Sequence, residues 1–503
     1  MDDISKEIFI RDYEKAVFQE SAAIFAGAGL SQNSGFVNWK ELLRELAREI
    51  KLDVDKESDL ISLAQYFVNG RSGSKHELLT LILQKFSHNY VKNDPMDILA
   101  SMPIKTYWTT NYDNIIEKCI EKQNKEYDLK ISDSNFSTTK ENSDVTIYKF
   151  HGDSRNPESI VLTKDDYSSF HSTHQLFINA LTGQLLTKTF LFIGYSFNDP
   201  DFLQILSSIR AIAKNVRTHY CLTKRIDSSE IEKKYLNTPD NTSEKKKLKV
   251  EYDNCLYEME KQRHIVKDLK RFGINTVFVD DHKEIPILIA QIQKKNATRR
   301  IFIAGSCRDY GAWTEHDAAI LMSKLGEGLI KKDYHISTGL IEGVGPQVVS
   351  GALHAIAEKN VDLSKYLSIK TLPLIKGKAD HIDTEAKKMY QDDMIKKVGI
   401  VIFLFGNNFY DGQLQVSKGV LGDYSRALEH NKYIIPVGAT GYAAKFISGK
   451  IELNINNFHY LKKFISRLNT ETDPDMLVNT ILETIEYIRD FEYDNLLEFF
   501  PLS

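Results

Sequence analysis

The sequence predicts an α/β protein made of two doubly wound parallel sheets in tandem, over residues 1–295 and 296–503. Three observations lead there. Short apolar runs repeatedly end in glycine or small polar residues and pass straight into helical spacing, the strand–turn–helix unit of an open parallel sheet. After a short polar joint at 296–300 the pattern restarts. A chain of 503 residues is also long enough for two or three domains, each with a substantial core.

Composition narrows the function classes. Hydrophobic residues make up 42% and charged residues 27%, the balance of an ordinary soluble protein. A net charge of −4 gives no case for nucleic acid or an anionic membrane as partner. The N-terminus is acidic and helix-like rather than basic-then-apolar, and the chain lacks a continuous apolar run of about 18 residues, so a cytoplasmic protein without a membrane span is expected. Cys119, Cys221, Cys255 and Cys307 are scattered and form no Cys-x-x-Cys pair. That spacing argues for buried thiols and against a zinc ribbon.

The first half is organised around residues 22–39, AAIFAGAGLSQNSGFVNW, which follow a predicted helix at 2–20. An apolar run from Ala22 to Phe25 breaks at Ala26-Gly27-Ala28-Gly29, continues through Ser31 and enters the helical pattern 39–50. Such a turn lets backbone N–H groups and a helix N-terminus approach a pyrophosphate, although a purely structural turn fits the local sequence equally well. Amphipathic helices are expected at 58–69 and 75–86. A strand at 104–109 leads into Thr109-Thr110-Asn111-Tyr112-Asp113 and a helix at 114–122. Polar residues at such a strand end face the ligand crevice, but Asn111 or Asp113 could equally cap the next helix.

A strand at 145–150 lands on His151-Gly152-Asp153, and an imidazole of ordinary pKa about 6.5 suits a general base near neutral pH. The strand 189–194 ends in Tyr195-Ser196-Phe197-Asn198-Asp199-Pro200, with Pro200 placed to start the helix 201–213. After a strand at 219–222, residues 224–271 are highly charged. Lys245-Lys246-Lys247 lies among interleaved acids, which favours a solvated helical insertion over a nucleic-acid patch. A strand at 273–279 and a helix at 285–294 close the unit.

In the second half a strand at 301–304 runs into Gly305-Ser306, with Arg308 just beyond. A helix at 315–329 follows, then a strand at 335–338 reaching Gly339. The turn Gly343 to Gly345 opens a helix at 347–357. Beyond a strand at 372–375 and a helix at 384–397, a strand at 400–405 ends in Gly406-Asn407-Asn408. Gly422-Asp423-Tyr424 lies within a helix at 419–430, and a strand at 433–436 precedes Gly438. These strand ends carry glycines, amides and one Asp, without a nucleophile–base pair. That composition suits binding a nucleotide-like molecule rather than cleaving it.

Taken together, the first-half motifs fall in the order of the sirtuin NAD-binding core, over about residues 1–290. Gly27-Ala28-Gly29-Leu30-Ser31 resembles the phosphate loop and Thr109-Thr110-Asn111-Tyr112-Asp113 the Thr-x-Asn-x-Asp signature. His151-Gly152 resembles the catalytic His-Gly, and Gly194-Tyr195-Ser196 the Gly-x-Ser turn on the ribose side. The resemblance implies a Rossmann-like fold with NAD+ as substrate. It places Ala26, Gly27, Ala28, Gly29, Ser31, Thr110, Asp113, Gly194, Ser196 and Asn198 at the cofactor, and Asn111 and His151 in catalysis. Two departures stand out. The family's paired-cysteine zinc module is missing, and its Asp-Phe-Arg is replaced by Phe36-Val37-Asn38-Trp39. Both argue for plain NAD+ hydrolysis without a metal and against an acyl-lysine substrate.

Residues 297–503 resemble the SLOG family of nucleotide-sensing domains, and the two halves together are similar to the Thoeris antiphage effectors. That resemblance implies a bacterial homo-oligomer, tetramer or higher. A cyclic ADP-ribose isomer made by a TIR-domain partner protein would bind the SLOG domain and release NAD+ cleavage. The implied effector-binding residues are Gly305, Ser306, Arg308, Gly339, Gly343, Gly345, Gln391, Asn408 and Asp423. Gln391 stands where an Arg is expected for the ligand's phosphates and Asn408 where a Lys is expected; Asp423 is the acid expected for a ribose hydroxyl. The activator therefore differs from the usual isomer, or Arg308 or Lys388 compensates. Two other classes remain open on the sequence: a non-catalytic NAD or ADP-ribose sensor, and a protein deacylase or ADP-ribosyltransferase.

Overall fold

The computed structural model describes residues 4–32, 34–57, 59–86, 92–212, 217–240, 242–340, 343–370, 384–410 and 412–491. The chain forms two compact units, Met1–Gln293 and Lys294–Ser503. Each is α/β with a parallel sheet.

The first sheet contains β1 (Ala22–Ala26), β2 (Thr106–Thr109), β3 (Tyr127–Lys130), β4 (Val145–Lys149), β5 (Thr189–Ile193), β6 (His219–Lys224) and β7 (Ile274–Val279). Their order is β3-β4-β2-β1-β5-β6-β7, with every neighbouring pair parallel. Strands β1 and β5 are buried along their whole length, which is why they read as unbroken apolar runs. The strand order reverses at β1, between β2 on one side and β5 on the other. Ligands of open α/β sheets bind in the crevice at such a reversal, outside the carboxyl ends of the strands. Ala26 is in register with both Thr109 and Ile193, so the residues that follow all three strands emerge at one edge.

The predicted helices 2–20, 39–50 and 201–213 are found as Lys6–Phe18, Trp39–Glu49 and Pro200–Ile212. Asn38 opens the second of these with a capping box: its Oδ1 accepts from the Glu41 N–H at 2.9 Å, and Glu41 Oε2 accepts from the Asn38 N–H at 3.2 Å. The charged stretch folds as the helices Ser229–Asn237 and Ser243–Lys270. Only Val266 and Leu269 are buried in the longer one. Sequence spacing missed the edge strand β3, whose four residues alternate in burial, and the helices Asp94–Ser101, Lys164–Thr173 and Gln175–Thr187.

The second sheet is β10-β9-β8-β11-β14, all parallel, from β8 (Arg300–Ser306), β9 (His335–Gly339), β10 (Leu367–Lys370), β11 (Ile400–Phe405) and β14 (Tyr433–Pro436). Its order reverses at β8. An antiparallel hairpin, β12 (Asn407–Tyr410) with β13 (Gln413–Val416), follows β11 directly. The strand expected at 372–375 lies outside the described residues, and β10, at 367–370, was not anticipated. Neither were the helices Tyr442–Glu452 and Pro474–Phe491.

Candidate active site

At the reversal point of the first sheet, the loops after β1 and β5 touch backbone to backbone. The Gly27 N–H donates to the Ile193 carbonyl and the Gly29 N–H to the Gly194 carbonyl, both at 2.9 Å. A Cβ on Gly27 would lie 2.4 Å from the Gly194 oxygen. One on Gly194, which has φ +64°, would lie 2.2 Å from the Leu30 nitrogen. This crossing demands glycine before any ligand is considered. Ala26 is buried, Ala28 is half-buried, and Gly29 lies at the surface of the turn.

From this turn a chain of hydrogen bonds reaches the loop after β2. Ser31 Oγ donates to Asp113 Oδ2 at 2.7 Å and accepts from Asn111 Nδ2 at 2.9 Å. Asp113 Oδ1 accepts from the Ile115 N–H at 3.0 Å, so this carboxylate caps the following helix and anchors Ser31 at once. Thr109 Oγ1 accepts from the Asn111 N–H at 2.9 Å. Ser31 and Asp113 are buried, whereas Thr110 and Asn111 are only half-buried. The structure therefore joins Ser31, Asn111 and Asp113. Ser196 and Asn198 lie exposed after β5, beside Phe197 at φ +57°.

His151 follows β4 and is 2% exposed. It is walled by Phe150, Tyr167 and Phe170, at centroid distances of 5.4, 5.4 and 5.8 Å. Its Nε2 lies 3.1 Å from Asp199 Oδ2, within ion-pair reach, but the ring N–H is not aligned on that oxygen, and the nitrogen makes no hydrogen bond. Burial pushes the Asp199 carboxyl up, but the His151 imidazole beside it and the Phe202 and Asp201 N–H groups outweigh this and hold it below its ordinary value. Asp201 goes the other way: burial and the Asp199 charge raise it to about 6. Asp199 lies in the strand-end motif 195–200 and Asp201 just beyond it, at the start of the predicted helix 201–213; the sequence marks neither as a site residue. An aspartate before proline at a helix start reads as a cap.

Sequence reading also missed Lys149. It is fully buried, 2.7 Å from Asp153 Oδ2 and 2.9 Å from Glu117 Oε1, and it donates to the Asp113 carbonyl. Burial alone would depress this amine, but the Glu117, Asp153 and Asp113 charges raise it. Burial likewise works against the Asp153 carboxylate, yet Arg155 and Lys149 bring it down to about 2. A lone Lys in an apolar–polar strand carries no signal of such a partner set.

Among the described residues, two groups of three have ligand atoms close enough to hold a metal ion: His151 with Asp199 and Asp201, and Glu327 with His354 and Glu358. Neither contains a cysteine. Cys119, Cys221 and Cys307 are buried, and burial pushes the Cys221 thiol up to about 11.

In the second unit the glycines again permit close crossings. A Cβ on Gly305 would lie 2.5 Å from the Leu404 oxygen, one on Gly343 2.2 Å from the Cys307 oxygen, and one on Gly345 1.9 Å from the Gly339 oxygen. Ser306 Oγ donates to the Asn407 carbonyl at 2.9 Å. Asn407 Oδ1 accepts from the Arg308 and Asp309 N–H groups at 2.8 and 3.1 Å. This fully buried Asn407, not the half-buried Asn408, locks the loop after β8. Gln391 Nε2 donates to Asp423 Oδ1 at 3.0 Å, with Arg426 at 3.5 Å from the same oxygen. Both Gln391 and Asp423 are buried, while Arg308 and Lys388 are exposed.

Two parallel α/β units in tandem, each with tight glycine crossings, define the class of architecture, and comparison gives the pair its family. Residues 105–249 match the SIR2-like domain, and residues 284–488 match the Sir2- and TIR-associating SLOG family. A protein of Bacillus cereus (strain MSX-D12) named NAD(+) hydrolase ThsA is 38% identical over 491 residues, covering 96% of this chain and 98% of that one. Its namesake in Enterococcus faecium is 36% identical over 497 residues, covering 97% and 100%, and that in Cytobacillus dafuensis is 37% identical over 458 residues, covering 90% of each. The chain belongs to the NAD(+) hydrolase ThsA family.

Proposed function

We propose that this protein hydrolyses NAD+ to nicotinamide and ADP-ribose in the first unit, under control of a nucleotide bound by the second. One observation carries the reading. The Asp113–Ser31–Asn111 chain and the buried His151 lie on loops that end adjacent strands at the reversal point, in a chain whose relatives are named for this reaction. The loop from Ala26 to Ser31 and Thr110 would receive the pyrophosphate, with Gly194, Ser196 and Asn198 on the ribose side. Asn111 would hold the nicotinamide ribose and a water. As the bond from C1′ to the nicotinamide nitrogen breaks, its electron pair neutralises the pyridinium. Water oxygen bonds to C1′, and its proton passes to His151. A passive sensor would need neither Asn111 nor His151. Protein deacylation is disfavoured by the scattered cysteines.

In this reading both sheets are doubly wound, the domains divide at 295/296, and the first carries no zinc module; the reaction uses no metal. Gly305, Ser306, Arg308, Gly339, Gly343, Gly345, Gln391, Asn408 and Asp423 would contact a cyclic ADP-ribose-type signal from a TIR-domain partner. Its binding would alter packing in a homo-oligomer and start NAD+ depletion in an infected bacterial cytoplasm. Gln391 is neutral and engaged on Asp423, so the signal is either a different isomer from the usual one or is held at its phosphates by other cations, Arg308 or Lys388.

The test is NAD+ consumption by the purified protein, alone and with a panel of cyclic ADP-ribose isomers. Silence alone and turnover with one isomer is the expected result. Turnover without any ligand would remove the second unit as the switch.

A further inference from the structure

Two carboxylates, Asp199 and Asp201, converge on His151. Asp199 Oδ1 accepts from the Asp201 and Phe202 N–H groups at 3.1 and 3.3 Å, which fixes its carboxylate at the start of the helix Pro200–Ile212. The other oxygen, Oδ2, is thereby held 3.1 Å from His151 Nε2, with the two side chains 8% and 3% exposed. His151 Nε2, Asp201 Oδ2 and the Tyr195 hydroxyl are each buried without a hydrogen-bond partner. A buried polar atom left in this state is costly and calls for an explanation. The other titratable groups around the cluster are Tyr167 and His171 from the helix Lys164–Thr173, His174 stacked on Phe170, and Tyr112. His171 lies 3.7 Å from Asp201, not from Asp199. Of all these groups, Asp199 is the anion within reach of Nε2.

We propose that Asp199 is the positioning residue for His151: its carboxylate takes the Nε2–H, leaves Nδ1 to accept the proton released during hydrolysis, and stabilises the imidazolium so formed. This deepens the proposed function and rests on it. Nε2 and Oδ2 are already at hydrogen-bond distance, 3.1 Å, so alignment of the N–H is what substrate binding would have to supply, as it does for loose apo contacts. The proton leaves the attacking water and ends on Nδ1, while Asp199 stays ionised throughout. Burial makes the pairing effective, because water does not screen it. Asp201 lies one step further out and serves as the comparison.

The discriminating variant is Asp199→Asn. Asn caps a helix as well as Asp does, so the backbone contacts to residues 201 and 202 persist while the charge is lost. Steady-state kinetics of the full-length protein on NAD+ across pH 5–9 should show kcat at least about tenfold lower with KM little changed. The acid limb of the rate profile should move to lower pH, since the anion that favours the protonated imidazole is gone. Asp199→Glu should recover part of the rate, and Asp201→Asn should move the limb less. Independently of turnover, 13C-labelled histidine NMR should show His151 titrating at lower pH in Asp199→Asn than in the parent. An unchanged kcat and limb, or an unmoved His151 titration, overturns the proposal. Loss of parent activity on chelation also overturns it, by making the trio a metal site. If His151→Ala retains activity, the reading of the site itself falls; if that variant is dead and Asp199→Asn behaves as parent, only the role of Asp199 falls.

Discussion

Ser31 Oγ donates to Asp113 Oδ2 at 2.7 Å and ties the turn after β1 to the loop after β2. The same hydroxyl accepts from Asn111 Nδ2, so the orientation of one proposed catalytic side chain depends on a buried carboxylate it never touches. Ser31→Ala should leave Asn111 without its acceptor and Asp113 with an unanswered oxygen. NAD+ turnover should fall about tenfold or more while the circular dichroism spectrum is kept. Parent-like turnover in this variant would mean that Asn111 is positioned by something else.

Asn111→Ala and His151→Ala test the chemistry directly. Each should lower turnover by about 100-fold or more, as expected for loss of a positioned water or a general base. Thermal unfolding of Asn111→Ala should stay close to the parent, because Asn111 is only half-buried. His151→Ala removes a buried ring from among Phe150, Tyr167 and Phe170, so its turnover is read per folded molecule. Full activity in either variant sinks that residue's assignment.

Asp201 makes a pH-dependent stability claim. Its carboxyl is raised from 3.8 to about 6 by burial first and the Asp199 charge second. The folded chain then holds that proton more tightly than the unfolded one, so stability falls as pH rises through this range and the penalty is complete above about 6. Asp201→Asn should be more stable than the parent at pH 8, by up to about 3 kcal/mol. The gain should shrink toward pH 4. Urea unfolding at pH 5 and pH 8 decides it, and equal stability at both values would contradict the expected penalty.

Lys149 sits between Glu117 and Asp153 with no access to water. Lys149→Met leaves those carboxylates without their buried cation and should cost about 3–5 kcal/mol, measured by urea unfolding. Because the lysine also donates to the Asp113 carbonyl, surviving protein should lose NAD+ turnover beyond what its folded fraction explains.

Gly27→Ala and Gly70→Ala form a contrasting pair. A Cβ at Gly27 meets the Gly194 oxygen at 2.4 Å, whereas one at Gly70 meets nothing within 4 Å. The first should destabilise by about 1–3 kcal/mol. The second, in the last turn of the helix Leu60–Gly70, should be neutral or stabilising by up to about 1 kcal/mol. Thermal melts of the two variants give the comparison.

The sequence by itself determined the two α/β units, the strand ends that carry chemistry, and the family resemblance. Strands buried on both faces must be continuous apolar runs, and turns where backbones cross must be glycine, so β1, β5 and Gly27 were legible locally. Edge strand β3 and helix Gln175–Thr187 were not, because a short half-buried strand, and a helix that carries exposed Leu176 and Leu186 beside its buried stripe of Phe177, Leu181 and Leu185, carry little periodic signal. Only the tertiary structure decided which polar residues meet. Ser31 and Asp113 are 82 positions apart, His151 and Asp199 lie in separate motifs, and Lys149 finds Glu117 across the fold. It also turned Gln391 from a missing cation into the partner of Asp423. Spacing along a chain reports local conformation. Which buried charge answers which depends on the strand order, and hydrogen-bond distances exist only once that order has brought the loops together.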